Sequence, residues 1–201
     1  MEPSLREKLV GAARDILAQD GYGAATPEAI AARAGVTTEA FSRTFSGRQE
    51  AVVAAIDAHW KDLSAFLDSA FAADVPPLDR LRRFTEGVYG FQDHHWNRLG
   101  CVVGCLLLRV GSAASREDGP VRERVAACLS ELQSRLEATI REAQAQNKVR
   151  SGDAGVMAWT LVHFVEGILG MARIQNDYHT LQGMLDRALE FLGAEPPLLR
   201  R

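Results

Sequence analysis

The chain has 201 residues, of which 47% are hydrophobic and 24% are charged, and its formal net charge at pH 7 is -3. A chain of this length and composition can bury a substantial core, which excludes an intrinsically disordered protein. The charge is too small for a protein that coats nucleic acid non-specifically, so any contact with DNA must be local.

Apolar residues recur at helical spacing along nearly the whole chain, and sustained period-two alternation is absent. This pattern predicts an all-α fold. Ser4 with Glu7 and Ser46 with Gln49 have the spacing of capping boxes, and Thr26 precedes a proline at a favoured first helical position. We expect nine helices, at about residues 4–19, 27–34, 38–44, 47–73, 77–97, 100–114, 119–147, 153–175 and 178–192.

The segment Thr26–Phe45 reads TPEAIAARAGVTTEAFSRTF, which predicts a short helix, a tight turn and a second short helix. Gly35 can adopt the positive φ that such a turn needs. Phe41 and Phe45 are four residues apart, so they lie on one face of the second helix and are expected to pack against the helices before it. The segment therefore predicts a helix-turn-helix.

The opposite face of the second helix is polar, and it carries Thr37, Thr38, Glu39, Ser42 and Arg43. In a docked helix-turn-helix such a face enters the major groove, where Arg43 is the side chain we expect to bind a guanine. Three nearby residues at helix ends are expected to contact phosphates, namely Thr26, Thr44 and Arg48. The alternative is an ordinary helical hairpin with a polar outer face, and the three arginines and two glutamates between Thr26 and Arg48 predict only modest attraction to DNA.

The first 60 or so positions resemble the tetracycline-repressor (TetR) family of one-component transcriptional regulators. The shared positions are Gly21-Tyr22, Thr26, Ile30-Ala31, Ala34-Gly35-Val36, Phe45 and Glu50-Ala51. The chain differs from the family at Ser42, where a tyrosine is common, at Glu39-Ala40, where a glycine-threonine pair is common, and at Arg48, where a lysine is common. These differences imply an atypical operator preference, with Glu39 accepting a hydrogen bond from a cytosine amino group.

The resemblance implies two domains, a helix-turn-helix DNA-binding domain of residues 1–48 and a ligand-binding and dimerisation domain of residues 49–201. The division falls within the helix that starts near Gly47. The resemblance also implies a homodimer that binds a double-stranded DNA operator and a small-molecule effector, and that acts more often as a repressor than as an activator.

The helix predicted at about 153–175 is apolar around most of its circumference, so it must be central or shared. The resemblance implies that this helix and the last one form the dimer contact. The residues expected in the interface are Trp159, Gly167, Gly170, Leu181, Leu185 and Leu189. The alternative is that both helices belong to the core of a monomer.

An effector pocket is expected among large aromatic side chains and a few polar groups in the larger domain. The candidates are Phe84, Tyr89, Phe91, Trp96, Cys105, Leu106, Met157, His163, Phe164 and Glu166. His163 and Glu166 are polar residues on an otherwise apolar helix, so each either orients a ligand or satisfies a buried partner. The alternative for most of the others is ordinary core packing.

The segment Gly104–Ser115 resembles a Gly-Cys-Leu motif in a subgroup of TetR-like regulators, some of which sense electrophiles or oxidants through the cysteine. The resemblance implies that Cys105 is a redox-active thiol. Arg109, one turn along the predicted helix, would supply the positive charge that a thiolate needs, and Cys101 would lie one turn earlier on the same face. The alternative is that both cysteines are small buried hydrophobic residues.

Targeting and membrane signals are weak in this sequence. Charged residues interrupt the N-terminal segment, which argues against a signal peptide, and the longest strongly apolar run, Cys101–Leu108, is far shorter than the roughly 20 residues of a membrane span. The odd number of cysteines suits a reducing compartment. We therefore expect a cytoplasmic protein with no membrane partner.

The alternatives to a regulator are an enzyme and a ligand-binding protein. An enzyme is not expected, because the sequence has no phosphate-binding glycine loop, nucleophile elbow, paired-carboxylate signature or metal motif, and no cofactor is expected either. The second alternative is a dimeric small-molecule-binding protein of the same fold with weak or lost operator binding, which the residues at Ser42 and Glu39 make conceivable.

Overall fold

A computed structural model describes residues 3–194 of the chain, and in that range it contains nine α-helices, two 3₁₀ turns and no strand. The all-α prediction is therefore confirmed. The helices are α1 (Leu5–Gln19), α2 (Pro27–Ala34), α3 (Thr38–Thr44), α4 (Arg48–Ala70), α5 (Pro77–Leu99), α6 (Leu106–Ala113), α7 (Gly119–Ala145), α8 (Ala154–Gln175) and α9 (Met184–Phe191). The 3₁₀ turns are Tyr22–Ala24 and Tyr178–Leu181.

Side-chain caps define the starts of the first two helices. The Ser4 amide donates to Glu7 Oε2 at 2.7 Å, and the Glu7 amide donates to Ser4 Oγ at 3.3 Å, so the predicted capping box is present. Thr26 Oγ1 accepts from the Ala29 amide at 3.2 Å, and Pro27 is the first residue of α2. Each cap satisfies a backbone donor that the helix itself leaves unpaired.

The capping box predicted for Ser46 with Gln49 is wrong. Helix α4 begins at Arg48, so Ser46 lies one residue too early, and its amide donates to Glu50 Oε2 at 2.8 Å instead. Gln49 instead makes a tertiary contact with the Glu117 carbonyl.

The helix predicted at about residues 100–114 is shorter than expected. Gly100 ends α5 with φ 64°, and Gly104 has φ 68°, a left-handed conformation that an L-residue adopts only with strain. The Gly104 amide donates to Gln92 Oε1 at 3.0 Å, which holds the connecting segment on α5. Helix α6 therefore starts at Leu106, and the prediction that Cys101 and Cys105 share one helical face is wrong.

The last predicted helix is also interrupted. Instead of one helix over about residues 178–192, a 3₁₀ turn at Tyr178–Leu181 is followed by Gly183, with φ 70°, and then by α9. A left-handed residue cannot continue a right-handed helix, so the chain restarts at Met184.

The chain forms two compact units. Among the described residues, the first contains 3–64 and Leu106–Cys128, and the second contains Ala65–Cys105 and 129–194. The first unit thus holds the whole of the predicted domain 1–48, together with the first part of α4, all of α6 and the start of α7. As a boundary between functional domains, the division at residue 48 stays a prediction.

The core of the first unit is built where α1, α2 and α3 meet. Its largest fully buried side chains include Leu9, Ile16, Ile30, Phe41 and Phe45. Burying one such side chain contributes roughly 1.5–3 kcal/mol, so these few residues fix the three short helices against one another.

Helix α8 is the most apolar helix of the second unit. By length and composition alone it could cross a membrane, which is weak evidence because core helices have the same composition. Eight of its residues are buried within its own unit, from Ala154 to Ala172. Packing in a protein core thus accounts for the apolar residues on the buried side of α8.

Candidate functional site

The turn between α2 and α3 has the geometry that the sequence predicts. Gly35 has φ 70° and ψ 33°, and its amide donates to the Ala32 carbonyl at 3.1 Å. Thr37 then caps α3, because its Oγ1 accepts from the Ala40 amide at 3.2 Å. The left-handed glycine and the threonine cap together set the direction in which α3 leaves the turn.

Helix α3 is anchored from one side only. Phe41 and Phe45 are 1% and 2% exposed, and their ring centroids are 5.6 Å apart. The Arg6 guanidinium carbon lies 4.6 Å from the centroid of the Phe45 ring. Arg6 thus covers the aromatic ring at the end of α3. The opposite side of α3 is consequently left to solvent.

Five of the predicted DNA-binding residues are exposed on that solvent side, namely Thr37, Thr38, Glu39, Ser42 and Arg43. The Ser42 hydroxyl donates to the Thr38 carbonyl at 3.1 Å, so its outward lone pairs are acceptors. The half-buried Thr44 hydroxyl donates to the Ala40 carbonyl at 2.9 Å, which likewise uses its proton inside the helix. Apart from Arg43, this face offers more acceptors than donors.

Arg48 is engaged within the first unit. Its Nη2 donates to the Tyr22 carbonyl at 2.6 Å, and its guanidinium carbon lies 4.1 Å from the centroid of the Tyr22 ring. Arg48 Nε is buried and finds no hydrogen-bond partner among the residues that the structure describes. The guanidinium is thus oriented by Tyr22, an arrangement that the sequence did not suggest.

Asp118, just before α7, completes this group. It accepts hydrogen bonds from the amide and the hydroxyl of Ser115, both at 2.8 Å, and from Gln49 Nε2 at 3.4 Å. Gln49 Nε2 also donates to the Glu117 carbonyl at 3.1 Å. We call Tyr22, Arg48, Gln49, Ser115 and Asp118 the Asp118 clasp.

The two titratable side chains of the clasp affect each other. Burial, followed by the Asp118 carboxylate, raises the pKa of Tyr22 to about 12. The Ser115 hydroxyl, followed by that of Tyr22, lowers the pKa of Asp118 to about 2. The Tyr22 hydroxyl is buried and has no hydrogen-bond partner of ordinary geometry within the described residues.

Cys105 has a negatively charged group beside it. Its thiol donates to the carboxylate of Glu166, whose pKa is raised by burial and partly lowered by that hydrogen bond. Glu166 Oε2 is buried and has no hydrogen-bond partner in the part of the chain described here. Arg109 Nη1, expected to favour the thiolate, donates to the Ala18 carbonyl at 2.9 Å. A neighbouring carboxylate opposes thiolate formation, a factor that the sequence prediction did not include.

The second unit contains an apolar cavity of about 10 Å³. It is lined mainly by leucines, with Phe84 and Thr85 from α5 and Val165 from α8. A volume of this size is at the lower limit for one water molecule, and an apolar cavity stays dry. In this conformation the cavity is too small for a drug-sized effector.

Of the ten predicted pocket residues, Phe84 lines this cavity and the others lie elsewhere. Tyr89 and Trp96 pack on Tyr178, with centroid distances of 5.0 and 5.9 Å. Met157 is buried, Phe91 and His163 are exposed, and four are partly buried, namely Cys105, Leu106, Phe164 and Glu166. Among residues 3–194, no group of three or more His, Cys, Asp or Glu side chains is arranged to hold a metal ion.

Large apolar residues are exposed along one face of α8. The exposed fractions are 63% for Val156, 41% for Trp159, 48% for Met171 and 79% for Ile174. Their spacing places them on the same side of the helix, together with Gly167. An apolar face of this length is typical of a surface that is covered by a partner.

The predicted interface residues divide into two groups. Trp159, Gly167 and Gly170 lie on the exposed side of α8 or at its edge. Leu181 and Leu189 are 1% and 2% exposed inside their own unit, and Leu185 lines the cavity. The helix periodicity did not separate these groups, because both sides of α8 are apolar.

Comparison with known proteins shows two family matches along the chain. Residues 9–55 match the family described as bacterial regulatory proteins, tetR family, and residues 77–188 match the tetracyclin repressor-like C-terminal domain. No curated protein sequence matches the chain.

Solved structures of similar fold cover nearly the whole chain. The regulatory protein TetR from Rhodobacter sphaeroides is 26% identical with a TM-score of 0.76, and the match covers 90% of this chain and 96% of that one. A TetR-family transcriptional regulator from Agrobacterium tumefaciens is 19% identical with a TM-score of 0.79, covering 94% and 98%. SmeT in complex with triclosan is 24% identical with a TM-score of 0.72, covering 94% and 91%.

The second family match alone spans more than half of the chain, and the first coincides with the helix-turn-helix built by α2 and α3. The chain therefore belongs to the TetR family of bacterial transcriptional regulators, with an N-terminal DNA-binding domain and a C-terminal domain of the same family.

Proposed function

We propose that this protein is a cytoplasmic, homodimeric repressor that releases its operator when a small molecule binds to the C-terminal domain. The observation that carries the DNA-binding part is the polar, solvent-exposed side of α3, which Phe41 and Phe45 anchor from behind. The effector and the repressor role extend beyond family membership and are part of the proposal.

The side chains of α3 suggest what the operator contains. Arg43 is the one exposed cation on the helix and suits the O6 and N7 acceptors of guanine. Glu39 and Ser42 offer acceptors, which suit the amino groups of cytosine or adenine. We therefore expect each half-site to contain a guanine close to a cytosine or adenine amino group. Thr26, Thr37, Thr38, Thr44 and Arg48 are proposed to contact the DNA around them.

The exposed side of α8 supports a two-fold dimer. Val156, Trp159 and Ile174 would be covered by the same residues of a second copy, and Gly167 would let the two helices approach closely. Two recognition helices in such a dimer must reach successive major grooves, which are about 34–36 Å apart. The dimer thus doubles the DNA contacts, which are few for one small, weakly charged domain.

The effector is proposed to be small and mainly apolar, because the cavity in the second unit is lined almost entirely by hydrocarbon side chains. SmeT, a protein of similar fold, has been solved with triclosan. Since the cavity holds only about 10 Å³, the ligand must favour a wider conformation than the one described. We propose that this wider conformation separates the recognition helices, with α4 transmitting the change.

An electrophile that reacts with Cys105 is the second candidate signal. The sequence Gly104-Cys105-Leu106 resembles the motif of the proposed Gly-Cys-Leu subgroup, and Cys105 is partly exposed. The adjacent Glu166 carboxylate can accept the thiol proton, but it also repels a thiolate. We therefore rank a reversibly bound apolar effector first.

Selection of duplexes from a random-sequence library by the full-length protein tests the proposal. We expect an inverted repeat whose half-site centres are about one helical turn, 10–10.5 base pairs, or a multiple of it apart, with affinity that falls steeply as salt rises. Enrichment of no sequence, together with a dimeric protein in solution, would instead support a ligand-binding protein that has lost operator recognition.

A further inference from the structure

The Asp118 clasp joins three parts of the first unit that are far apart in the chain. Tyr22 belongs to the 3₁₀ turn that precedes α2, Arg48 and Gln49 form the first turn of α4, and Asp118 immediately precedes α7. Arg109 adds a second connection, from α6 to the end of α1, through the Ala18 carbonyl. The connection between α6 and α7 is therefore attached to the first turn of α4, and α6 to the end of α1.

Within the clasp, the position of Arg48 depends on Tyr22. The ring lies under the guanidinium carbon at 4.1 Å, and the Tyr22 carbonyl accepts from Nη2 at 2.6 Å. A long, flexible arginine loses considerable rotamer freedom when it binds a phosphate. A guanidinium that is already held has lost part of that freedom before DNA arrives, so it binds more tightly.

Arg48 is in turn held from the side of α7, because Gln49, the next residue of α4, donates to the Glu117 carbonyl and to Asp118. The Tyr22 side chain is 6% exposed, and its buried hydroxyl, whose pKa is raised by burial and by the Asp118 carboxylate, has no hydrogen-bond partner of ordinary geometry within the described residues. Ser115 and Gln49 fix that carboxylate through hydrogen bonds of 2.8 and 3.4 Å. Loss of the carboxylate would remove one of the two acceptors that hold Gln49, which favours movement of the first turn of α4 and of the Arg48 guanidinium with it.

We propose that Asp118 and Tyr22 are positioning residues for DNA binding, which hold Arg48 ready for a phosphate and so make the α6–α7 connection part of the DNA-binding unit. This inference rests on the proposed function, because it requires that the protein binds DNA. It adds a role for residues 115–118, which neither the helix-turn-helix motif nor the predicted domain 1–48 includes.

The test compares the full-length protein with Asp118→Ala, Arg48→Ala and the double variant. Each is titrated with a selected operator and with a random-sequence duplex across a range of salt concentrations. We expect Asp118→Ala to weaken binding to both duplexes by roughly 10- to 100-fold, because the Arg48 side chain loses its fixed position in each of the two subunits. The double variant should bind no more weakly than Arg48→Ala, since Asp118 acts through Arg48.

Two conservative variants keep the test independent of misfolding. Asp118→Asn retains an acceptor oxygen for Gln49, and Tyr22→Phe retains the ring and the carbonyl that contact Arg48, so both should bind within about threefold of the wild type. Glu117→Ala is the matched control, because it removes an adjacent charge but keeps the carbonyl that accepts from Gln49. Glu117→Ala should bind both duplexes as the wild type does.

Additive losses in the double variant would show that Asp118 merely stabilises the fold, and would overturn the inference. Wild-type affinity for both duplexes in Asp118→Ala would overturn it as well, while leaving the proposed function intact. A wild-type protein that binds neither duplex would overturn the proposed function and this inference with it.

Discussion

Arg43 and Arg48 are close in sequence, but they have different surroundings. Arg43 is exposed on α3, whereas Arg48 is half-buried and stacked on Tyr22. A side chain that projects freely from the recognition helix can discriminate between bases, and one that is held at the start of α4 is suited to a phosphate. The difference in surroundings therefore supports a difference in role.

At the scale of these residues, we expect Arg43→Ala to weaken operator binding by about 1–3 kcal/mol and to relax the preference for one base. Arg48→Ala should weaken binding to all duplexes alike and reduce the slope of log K against log salt, by about one for each phosphate contact that is lost. Binding titrations with the operator, with single-base variants and with a random duplex measure both effects. Equal losses on every duplex for both variants would contradict the separate roles.

Arg141→Ala serves as the control for that comparison. Arg141 is an exposed arginine of the second unit that pairs with Glu137 four residues earlier on α7. Its removal changes the net charge by the same amount as the other two substitutions, so an equal loss of DNA affinity would point to overall charge as the cause.

At the scale of the elements, the α2–α3 turn depends on Gly35, whose φ of 70° places it in the left-handed region. Gly35→Ala should lower the free energy of unfolding by about 1–2 kcal/mol, because a side chain is strained in that conformation. Gly11, inside α1, has open space around the position of a Cβ atom. Gly11→Ala should therefore raise stability, by up to about 1 kcal/mol.

Chemical denaturation of the two glycine variants measures these opposite effects. If both substitutions changed the free energy of unfolding by the same amount and in the same direction, the turn would not constrain α3. Loss of operator affinity in Gly35→Ala beyond its loss of stability would additionally show that the turn sets the direction of the recognition helix.

Elements with strong local signals were predicted well. Thr26 and Thr37 cap α2 and α3 as their spacing suggests, and Phe41 and Phe45 are buried as expected. The predictions for about residues 100–105 and 182–183 were wrong because apolar periodicity continues through both segments. The left-handed conformation of the glycines that break the helices there is visible only in the backbone structure.

At the scale of the whole molecule, the exposed side of α8 leads to a prediction about assembly. Ile174→Asp should weaken dimerisation roughly 30-fold or more, since a charge replaces an apolar residue that the dimer would bury. Leu99→Asp is the control, because Leu99 is an exposed apolar residue of α5 that the proposed interface does not include. Sedimentation analysis over a dilution series measures the dimer constant of both variants.

An undisturbed dimer in Ile174→Asp would contradict the proposed interface. A protein that remains dimeric in that variant but dissociates in Leu99→Asp would place the interface on α5 instead. Either result leaves the family assignment unchanged, because that assignment rests on the matches over residues 9–55 and 77–188.

The amino-acid sequence by itself determined the all-α class, the position of the helix-turn-helix and the polar face of α3, because these depend on periodicity, caps and spacing within a few turns of chain. Only the tertiary structure decided that Arg48 packs on Tyr22, that Gln49 donates to Asp118 and that one side of α8 is left uncovered. Those features depend on residues that are distant in sequence and meet through packing, and local patterns carry no information about such pairs.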